Sequence, residues 1–382
     1  MNVVFLILSA CALFFLCITL WNVLCWKKVR GDGKMPAAAL VSVLIPARNE
    51  EKNLAGCLET VIRQGEIVGE ILVYNDHSTD STAQIISRYA GHDGRIRAIE
   101  TLELPEGWGG KNFACARLAS EAEGEWLLFL DADARLGEKA LAKILGEAKR
   151  RGITFLSCWG KLELESFWER ALMPMLNFVV FSVYPAPLAL RLRAVSLGLA
   201  HGACLLVERA AYVRLGGHEM VRSEIFEDVS LARLWREHHE LSLCLDGQTV
   251  VSLRMYSSLG EIWRGFQKNF YPSFRRDASF WAFVGLHLVI FLLPFVLLPF
   301  FAAGENAAAL IFIVFCVLLM RAALAFRFRH PWWSVLFHPA AEFILLAIGI
   351  SSWWRCKTGR GVSWKGRRYY GEKKGIKISD TP

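Results

Sequence analysis

The ten cysteines of this 382-residue sequence include no CxxC or CxxH pair, and this absence excludes the common zinc modules. Four of them, Cys11, Cys17, Cys25 and Cys316, lie inside hydrophobic segments. The cysteines therefore favour reduced, packed thiols in a protein that faces the cytosol over a disulfide framework. The sequence also lacks a P-loop, because no Lys-Ser or Lys-Thr follows a GxxxxG spacing.

Formal charge is absent from residues 3–26, and this run is long enough to cross a hydrocarbon core of ~30 Å. No basic residue precedes the run and several follow it within 27–34, which favours an anchor over a cleaved signal peptide. Basic flanks favour the cytoplasm. We therefore expect residues 1–27 to be a transmembrane anchor whose N-terminus is outside.

Three more apolar segments, at roughly 280–303, 306–326 and 332–354, predict membrane segments over 278–355. The net charge of +8 gathers beside them, most densely in a basic tail at 356–382. Such tails are typical of proteins that meet anionic lipid headgroups. Because the sequence shows neither an RNA-binding aromatic pattern nor a recognition helix, we expect no nucleic-acid partner.

The last apolar segment leaves the topology open. A full crossing by 332–354 would place the basic tail outside, against the tendency for positive charge to stay inside. His338, Pro339 and Glu342 interrupt this segment, so a broken or re-entrant helix that keeps the tail in the cytosol is the alternative. In both cases we expect a multi-pass plasma-membrane protein whose middle domain faces the cytoplasm.

The middle domain, residues 38–275, is patterned as an α/β domain. Continuous apolar runs at 40–45, 71–74 and 125–130 predict strands that are buried on both faces. Helical segments between them predict a parallel sheet with right-handed crossovers. Ligands of such sheets bind at the carboxyl ends of the strands. The polar residues at those ends come from three strands: Arg48, Asn49, Glu50, Asp76, Asp131 and Asp133.

Asp131 and Asp133, in "FLDADA", end the strand at 125–130. Alternation along a strand end would send both carboxylates to the same side. There they could hold Mg²⁺ or Mn²⁺, with a diphosphate completing the coordination. The alternative is an acidic strand end followed by a helix cap.

Other candidates also have two interpretations each. Asp76 could accept hydrogen bonds from a base or ribose, or form an Asx turn, and Arg48–Glu50 could hold a nucleotide or start a helix. Lys111, in the glycine-rich "GWGGKNFA", could bring an ammonium to phosphates on a flexible loop.

Acceptor-side candidates follow later in the chain. Glu227 and Asp228 stand at a predicted helix start, where acids are favoured by the dipole, yet an ionised Asp can also act as a general base. His201 could be a further metal ligand or a hydrogen-bonded loop histidine.

Five stretches together resemble the family 2 inverting glycosyltransferases of GT-A fold: "VSVLIPARNEE", "VYNDHSTDST", "GWGGKNFA", "FLDADA" and the "ED" of "FEDVSLAR". The resemblance implies a Rossmann-like nucleotide-sugar domain, a UDP-hexose donor, and displacement with inversion at the anomeric carbon. The implied nucleotide-sugar site comprises Pro46, Arg48, Glu50, Asp76, Lys111 and Asp131. It also implies Asp133 on a Mg²⁺ or Mn²⁺ ion and Asp228 as the base. The implied acceptor side comprises His201, Gly202, Glu227 and Trp263.

The C-terminal part resembles a membrane-bound subgroup that glycosylates carotenoid or hopanoid-type lipids. The stretches that carry this resemblance are "RMYSSLGEIWRGFQKNFY", the pair His338–Pro339 and "VSWKGRRYY". Named members are the diaponeurosporenoate, hydroxychlorobactene and hopene-associated glycosyltransferases. The Q-x-x-R-W motif of processive polysaccharide synthases is missing. The resemblance thus implies a single hexose transfer, from UDP-glucose to a membrane lipid.

The segment 171–193 is apolar, but a crossing there would separate Asp133 and Asp228 across the membrane. We expect it to lie half-sunk in the cytosolic leaflet, with an ordinary buried helix as the alternative. The aromatic residues Trp263, Phe266, Phe270 and Tyr271 could line a lipid entry or pack as an amphipathic face.

Four other functions stay open. A polyprenyl-phosphate glycosyltransferase would need no Asp228 base, since its acceptor already carries an anion. The acceptor could also be a hopanoid or diacylglycerol. A scaffold that has lost activity would be expected to lack Asp133 or Asp228, and both are present. A nucleotidyltransferase also fits the α/β domain, but the pair Glu227–Asp228 does not favour that function.

Overall fold

A computed structural model describes residues 3–31, 40–274, 276–301, 304–364, 367–372 and 375–380, with side chains described up to residue 361. The helices are α1 (Val3–Cys25), α2 (Leu54–Ile62), α3 (Thr82–Ala90), α4 (Gly110–Glu121), α5 (Ala140–Arg151), α6 (Phe167–Leu172), α7 (Pro174–Phe181), α8 (Ala186–Ala189), α9 (Arg209–Arg214), α10 (Glu227–Glu237), α11 (Leu259–Asn269), α12 (Asp277–Leu286), α13 (Leu293–Phe301), α14 (Ala307–Phe328), α15 (Trp333–Leu336) and α16 (His338–Lys357).

Strands form three sheets among the described residues. They are β1 (Val41–Ala47), β2 (Val68–Asn75), β3 (Ile96–Ile99), β4 (Trp126–Leu130), β5 (Ala134–Leu136), β6 (Phe155–Trp159), β7 (Lys161–Leu162), β8 (Cys204–Glu208), β9 (Ser242–Asp246), β10 (Val251–Leu253), β11 (Val362–Trp364), β12 (Arg367–Glu372) and β13 (Gly375–Asp380).

The central sheet has the order β3-β2-β1-β4-β8-β6-β9. Its first four strands are parallel, as the alternating strand and helix pattern predicts. The sheet as a whole is mixed, because β8 runs antiparallel to both β4 and β6. The sheet is buried on both faces, which explains the unbroken apolar runs in β1 and β4.

Helices long and apolar enough to cross a membrane precede and follow the α/β domain in the sequence. Three occur among the described residues: Val3–Cys25, Asp277–Phe301 and Ala307–Phe328. The second joins α12 and α13 through a π-helical turn at His287–Leu292. Together with the mixed sheet, these helices bear out the α/β class with membrane helices at both ends.

Helix α16 does not continue this series, because both ends of its segment lie beside the α/β domain. Before it, Arg327 donates to Asp246 Oδ2 at 2.7 Å, and Asp246 ends β9. After it, Lys357 Nζ lies 2.6 Å from Asp277 Oδ2 at the start of α12. The chain therefore leaves and returns on one side, which supports the re-entrant alternative for 332–354.

The segment 171–193 is divided into three short helices, α6 to α8. Pro174 starts α7 and Pro187 lies in the first turn of α8, so prolines set these boundaries. Phe178 and Phe181 are fully buried in an apolar cluster shared with α14. Much of the apolar surface of the segment 171–193 is thus covered by the protein, as the alternative of an ordinary buried helix predicts. The depth of this segment in the cytosolic leaflet stays a prediction.

A buried polar residue of the first anchor holds this segment in place. Asn22 of α1 donates to the carbonyls of Phe181 and Tyr184 at 2.8 and 2.7 Å. Its Oδ1 accepts from Ala186 N at 2.9 Å. Helix α1 is therefore locked to the turn between α7 and α8. The expected contact of the basic tail at 356–382 with lipid headgroups falls mostly on residues whose side chains the structure does not describe.

Candidate active site

Two loops are joined at the carboxyl ends of β1 and β2. Arg48 Nη1 donates to Asp76 O at 2.9 Å and lies 3.9 Å from Asp76 Oδ1. Asn49, at φ 53°, and Glu50 donate their N–H groups to Ser78 Oγ and Thr82 Oγ1. These residues thus meet at one rim, as sequence order and strand direction predict. Pro46 lies in β1 opposite Tyr74, past the last residue of β1 that pairs with β4.

Asp131 and Asp133 lie in a turn between β4 and β5 rather than on an extended strand. Asp131 N donates to Ala203 O at 3.1 Å, and Ala134 N donates back to Asp131 O at 3.0 Å. The argument from strand alternation is therefore wrong in its geometry. The guanidinium of Arg135 donates to Ala132 O at 3.1 Å and to Asn53 O at 2.9 Å, which fixes the turn against α2.

The two carboxylates nevertheless share a neighbour. Burial raises the pKa of the Cys57 thiol, and the negative charges of Asp133 and Asp131 raise it further, against the lowering effect of Arg135. Cys57 Sγ lies 3.7 Å from Asp131 O. Burial and the charge of Asp133 also raise the pKa of Tyr256. The charge of Asp133 therefore acts both on the Cys57 thiol of α2 and on the Tyr256 phenol that precedes α11.

Lys111 lies in the first turn of α4, so the expected flexible loop is wrong. Its Nζ is 2.8 Å from Asp131 Oδ1 and 2.9 Å from Glu227 Oε1. The preceding Gly109 donates its N–H to Arg222 O at 2.6 Å. The next residue, Asn112, donates to Val221 O and Glu224 O at 2.7 and 2.9 Å. This helix start is thus fixed to the loop that precedes Glu227.

Gly202 lies at the centre of this charged group. A Cβ added there would lie 3.1 Å from Lys111 Nζ, 3.3 Å from Asp228 Oδ2 and 3.4 Å from Glu227 Oε1. Any side chain would therefore press on all three functional groups at once. The absence of a side chain at Gly202 therefore lets the Lys111 ammonium and the two carboxyl groups approach this closely.

The adjacent carboxyl groups at the start of α10 differ in electrostatics. Burial and the neighbouring charge of Glu227 raise the pKa of Asp228 to about 7. Burial would also raise the pKa of Glu227, but the Lys111 ammonium lowers it below the ordinary value. The Lys111 pKa rises because Asp131 and Glu227 outweigh its burial. Glu227 thus stays ionised, whereas Asp228 can exchange a proton near neutral pH.

His201 is held through its main chain. Its N–H donates to Ser157 Oγ at 2.7 Å, and Ser157 Oγ donates to His201 O at 3.1 Å. The ring packs on Trp159 at a centroid distance of 4.8 Å, and burial lowers the His201 pKa to about 4. The imidazole is therefore neutral, and its Nδ1 has no hydrogen-bond partner among the described residues.

A divalent ion would find few protein ligands here. In the described part of the chain, no three His, Cys, Asp or Glu side chains group closely enough to hold a metal. Mg²⁺ often binds through one or two carboxylates, with substrate phosphates and waters as the remaining ligands. The acidic turn at 131–133 fits that kind of site and does not fit a closed protein cage.

Helix α11 carries the remaining acceptor-side candidate, Trp263, which is half-buried. Its neighbours pack inside the protein: Phe266 on Tyr256, Phe270 on Phe283, and Tyr271 on Phe280. These contacts favour the amphipathic-face interpretation for the three residues. Trp263 is not brought to Gly202 or Asp228 by any described contact.

Sequence reasoning missed Ser157, Arg135, Tyr256 and Arg236. Arg236 is buried on α10 and donates to the carbonyls of Ala189 at 3.0 Å and Leu192 at 2.7 Å. These residues act through main-chain carbonyls or packing, which leave no fixed spacing in a sequence. Ser157 is the exception in part, since a lone serine inside a buried strand requires a hydrogen-bond partner.

The α/β domain is similar to known proteins. The model for Glycosyl transferase family 2 matches residues 42–216. A 4,4'-diaponeurosporenoate glycosyltransferase of Staphylococcus haemolyticus is 30% identical over 222 residues, which is 57% of each chain. The Staphylococcus aureus protein of that name is 26% identical over 232 residues, 58% of this chain and 59% of its own. The match thus spans less than two thirds of the length of these relatives.

A solved structure has the same fold over most of the chain. The mannosyltransferase of Pyrobaculum calidifontis, solved in complex with GDP-Man and Mn2+, superposes with a TM-score of 0.52 at 18% identity. The likeness covers 91% of this chain and 99% of the mannosyltransferase. The prediction of a GT-A fold is therefore confirmed. Residues 42–216 thus match the model for Glycosyl transferase family 2, in a chain of the same fold that resembles the diaponeurosporenoate glycosyltransferases.

Proposed function

We propose that the protein transfers one hexose, with glucose the expected sugar, from a UDP-sugar to a membrane-embedded lipid such as a carotenoid. The observation that carries the proposal is the cluster at Gly202, where the Asp228 carboxyl group stands beside Glu227 and Lys111 with its pKa raised to about 7, which suits a general base. The names of the related proteins support a carotenoid-like acceptor. The apolar helices that precede and follow the domain in the sequence support a lipid acceptor.

The donor would lie across the rim described above. Arg48, Asp76 and Glu50 would contact the uridine, with Pro46 in the strand beneath them. Lys111 and Asp131 would contact the ribose or diphosphate, because an ammonium that is already paired with two carboxylates can also attract phosphate oxygens. Asp133 would hold Mg²⁺ or Mn²⁺, which supplies positive charge for the departing diphosphate.

The reaction would proceed by one inverting displacement. The acceptor oxygen forms a bond to the anomeric carbon, the bond from that carbon to the diphosphate oxygen breaks, and UDP leaves. Asp228 accepts the proton from the acceptor oxygen. Glu227, kept ionised by Lys111, strengthens Asp228 as a base because its negative charge disfavours a second negative charge nearby.

The acceptor would reach Asp228 from the membrane side of the domain. Helices α6 to α8 and α11 lie between the sheet and the membrane helices, and Arg236 joins α10 to the segment at 189–194. His201, Gly202, Glu227 and Trp263 would border the acceptor on this path. We place residues 38–275 on the cytoplasmic face of the plasma membrane, between the anchor at 1–27 and the segments at 278–355.

Donor turnover in purified membranes tests the proposal. Membranes containing wild type, Asp133→Ala or Asp228→Asn would receive UDP-glucose, Mn²⁺ or Mg²⁺ and extracted lipids, and the lipid product would be identified by mass. We expect a glycosylated carotenoid-type lipid that requires metal and disappears in both variants. Asp228→Asn that retains most of the rate would indicate an acceptor that is already an anion, a phosphate or a carboxylate, because such an acceptor needs no base. No UDP release with any lipid would refute the transfer reaction.

A further inference from the structure

A groove of about 540 Å³ lies between two helices of the membrane part, α12 with its π-helical turn and α16. One wall consists of Val284, Leu288 and Leu292, spaced four residues apart along the first helix. The other wall includes Ala347 and Trp354 of α16. Its volume falls within the range of ~300–1,000 Å³ that small-molecule sites occupy.

We propose that this groove holds the hydrocarbon chain of the lipid acceptor, an inference that rests on the proposed lipid transfer. The lining side chains are apolar except for Ser351. Ser351 Oγ already accepts a hydrogen bond from Gln267 Nε2 at 2.5 Å. The lining therefore offers a ligand dispersion and hydrophobic contact, which selects an apolar chain over a headgroup or a sugar.

The groove is joined to the candidate active site by a single helix, α11. At its C-terminal end, Gln267 bonds Ser351, and Phe270 packs so closely on α16 that a Cβ on Gly349 would lie 2.9 Å from its ring. Its N-terminal end follows Tyr256, whose neighbour is Asp133. Eleven helical residues extend about 16 Å, so a long acceptor with its chain in the groove would reach the active site along α11.

The groove spans the middle of the helix Asp277–Phe301, since its residues on that helix are 284, 288 and 292. On α16 its residues run from 343 to 354, toward Lys357, which lies 2.6 Å from Asp277 Oδ2. Helix α11 contacts this part of α16 through Gln267 and Phe270, and that contact favours the acceptor over an ordinary bilayer lipid.

Filling the groove tests the inference. Ala347→Phe places a ring in the groove, and Ala340→Phe places the same ring at an exposed position of α16 that does not line it. Each variant would be assayed with UDP-glucose and two acceptors that carry a hydroxyl group, a long polyene alcohol and 2,4-hexadien-1-ol, a short one. We expect Ala347→Phe to lower kcat/KM for the long acceptor by about tenfold or more, and to leave the short one within about twofold.

A second pair of variants guards against a folding defect. Trp354→Ala removes part of the wall at a position that is 54% exposed, and Trp332→Ala makes the same change at a position that is 62% exposed and outside the groove. Trp354→Ala should also weaken only the long acceptor. Equal effects on both acceptors, or no effect of either groove variant, would overturn the inference and indicate a bilayer lipid there. Absence of transfer by the wild type to either acceptor would instead refute the proposed function itself.

Discussion

Lys111 Nζ lies 2.9 Å from Glu227 Oε1, and this pair connects the start of α4 with the start of α10. The same ammonium lies 2.8 Å from Asp131 Oδ1, so one cation links a donor-side carboxylate to the pair that includes the proposed base. The charge states of the two halves of the site are therefore interdependent.

Replacing Lys111 by Met should lower kcat by roughly 10²–10³-fold, since the site loses its fixed positive charge near the diphosphate. Lys111→Arg should recover part of the rate, because it restores charge but changes reach. Steady-state kinetics with varied UDP-glucose would measure both variants. A Lys111→Met enzyme with wild-type kinetics would contradict a role for this ammonium in donor chemistry.

The pH dependence should reveal Asp228. Its pKa is raised to about 7 by burial and by Glu227, so the proton-free base is lost as pH falls through 7. We expect kcat/KM to fall about tenfold per pH unit below 7 and to level off above it.

Glu227→Gln should move the fall of kcat/KM to lower pH, because removing the neighbouring negative charge lowers the Asp228 pKa. Asp228→Asn should abolish this pH dependence and lower the rate by roughly 10²–10⁴-fold. A fall of kcat/KM that stays at the same pH in Glu227→Gln would mean that a group other than Asp228 titrates.

Arg236 should be a stability determinant. Its guanidinium makes hydrogen bonds to three carbonyls of the 189–194 segment and to Ser242. Arg236→Met would leave several buried carbonyls unpaired, at about 1–3 kcal/mol each.

Thermal unfolding in detergent would measure the loss. Arg233→Met on the same helix is the matched control, since Arg233 Nε has no hydrogen-bond partner among the described residues. Equal stability of the two variants would show that the Arg236 contacts contribute little.

The side on which α16 ends can be tested by labelling single cysteines in a cysteine-free background with an impermeant maleimide. Thr358→Cys should react in the same sealed vesicles as Glu106→Cys of the α/β domain. Glu305→Cys, between α13 and α14, should react only in vesicles of opposite orientation. Thr358→Cys that follows Glu305→Cys would show that 332–354 crosses the membrane.

The sequence was sufficient for β1, β2 and β4, because continuous apolar runs of that length have few other solutions in an α/β domain. It was not sufficient for the direction of β8. That strand follows three short helices and a long excursion, and local pattern does not record where a chain re-enters a sheet.

The contacts of the candidate site also divide into those that the sequence predicts and those that it does not. Residues that directly follow strands, such as Arg48 and Asp76, meet because strand ends meet. The contact of Lys111 with Glu227 depends on how the loop after α9 folds back onto α4, through Asn112 and Gly109. Such a contact between distant segments has no periodicity or spacing from which it could be predicted.

The contacts of Arg327 have a consequence for biosynthesis. Arg327 donates to Val23 O at 2.8 Å and to Trp26 O at 2.9 Å, across 304 and 301 residues of chain. The first helix to leave the ribosome therefore acquires these partners only when most of the chain has been translated. Until then α1 is held to the domain only by contacts made with earlier segments, such as those of Asn22 with 181–186, and the Arg327 contacts form as a late, long-range step. Truncation after residue 303 should thus leave α1 inserted and still bonded through Asn22, but without the contacts that Arg327 makes to Val23 and Trp26.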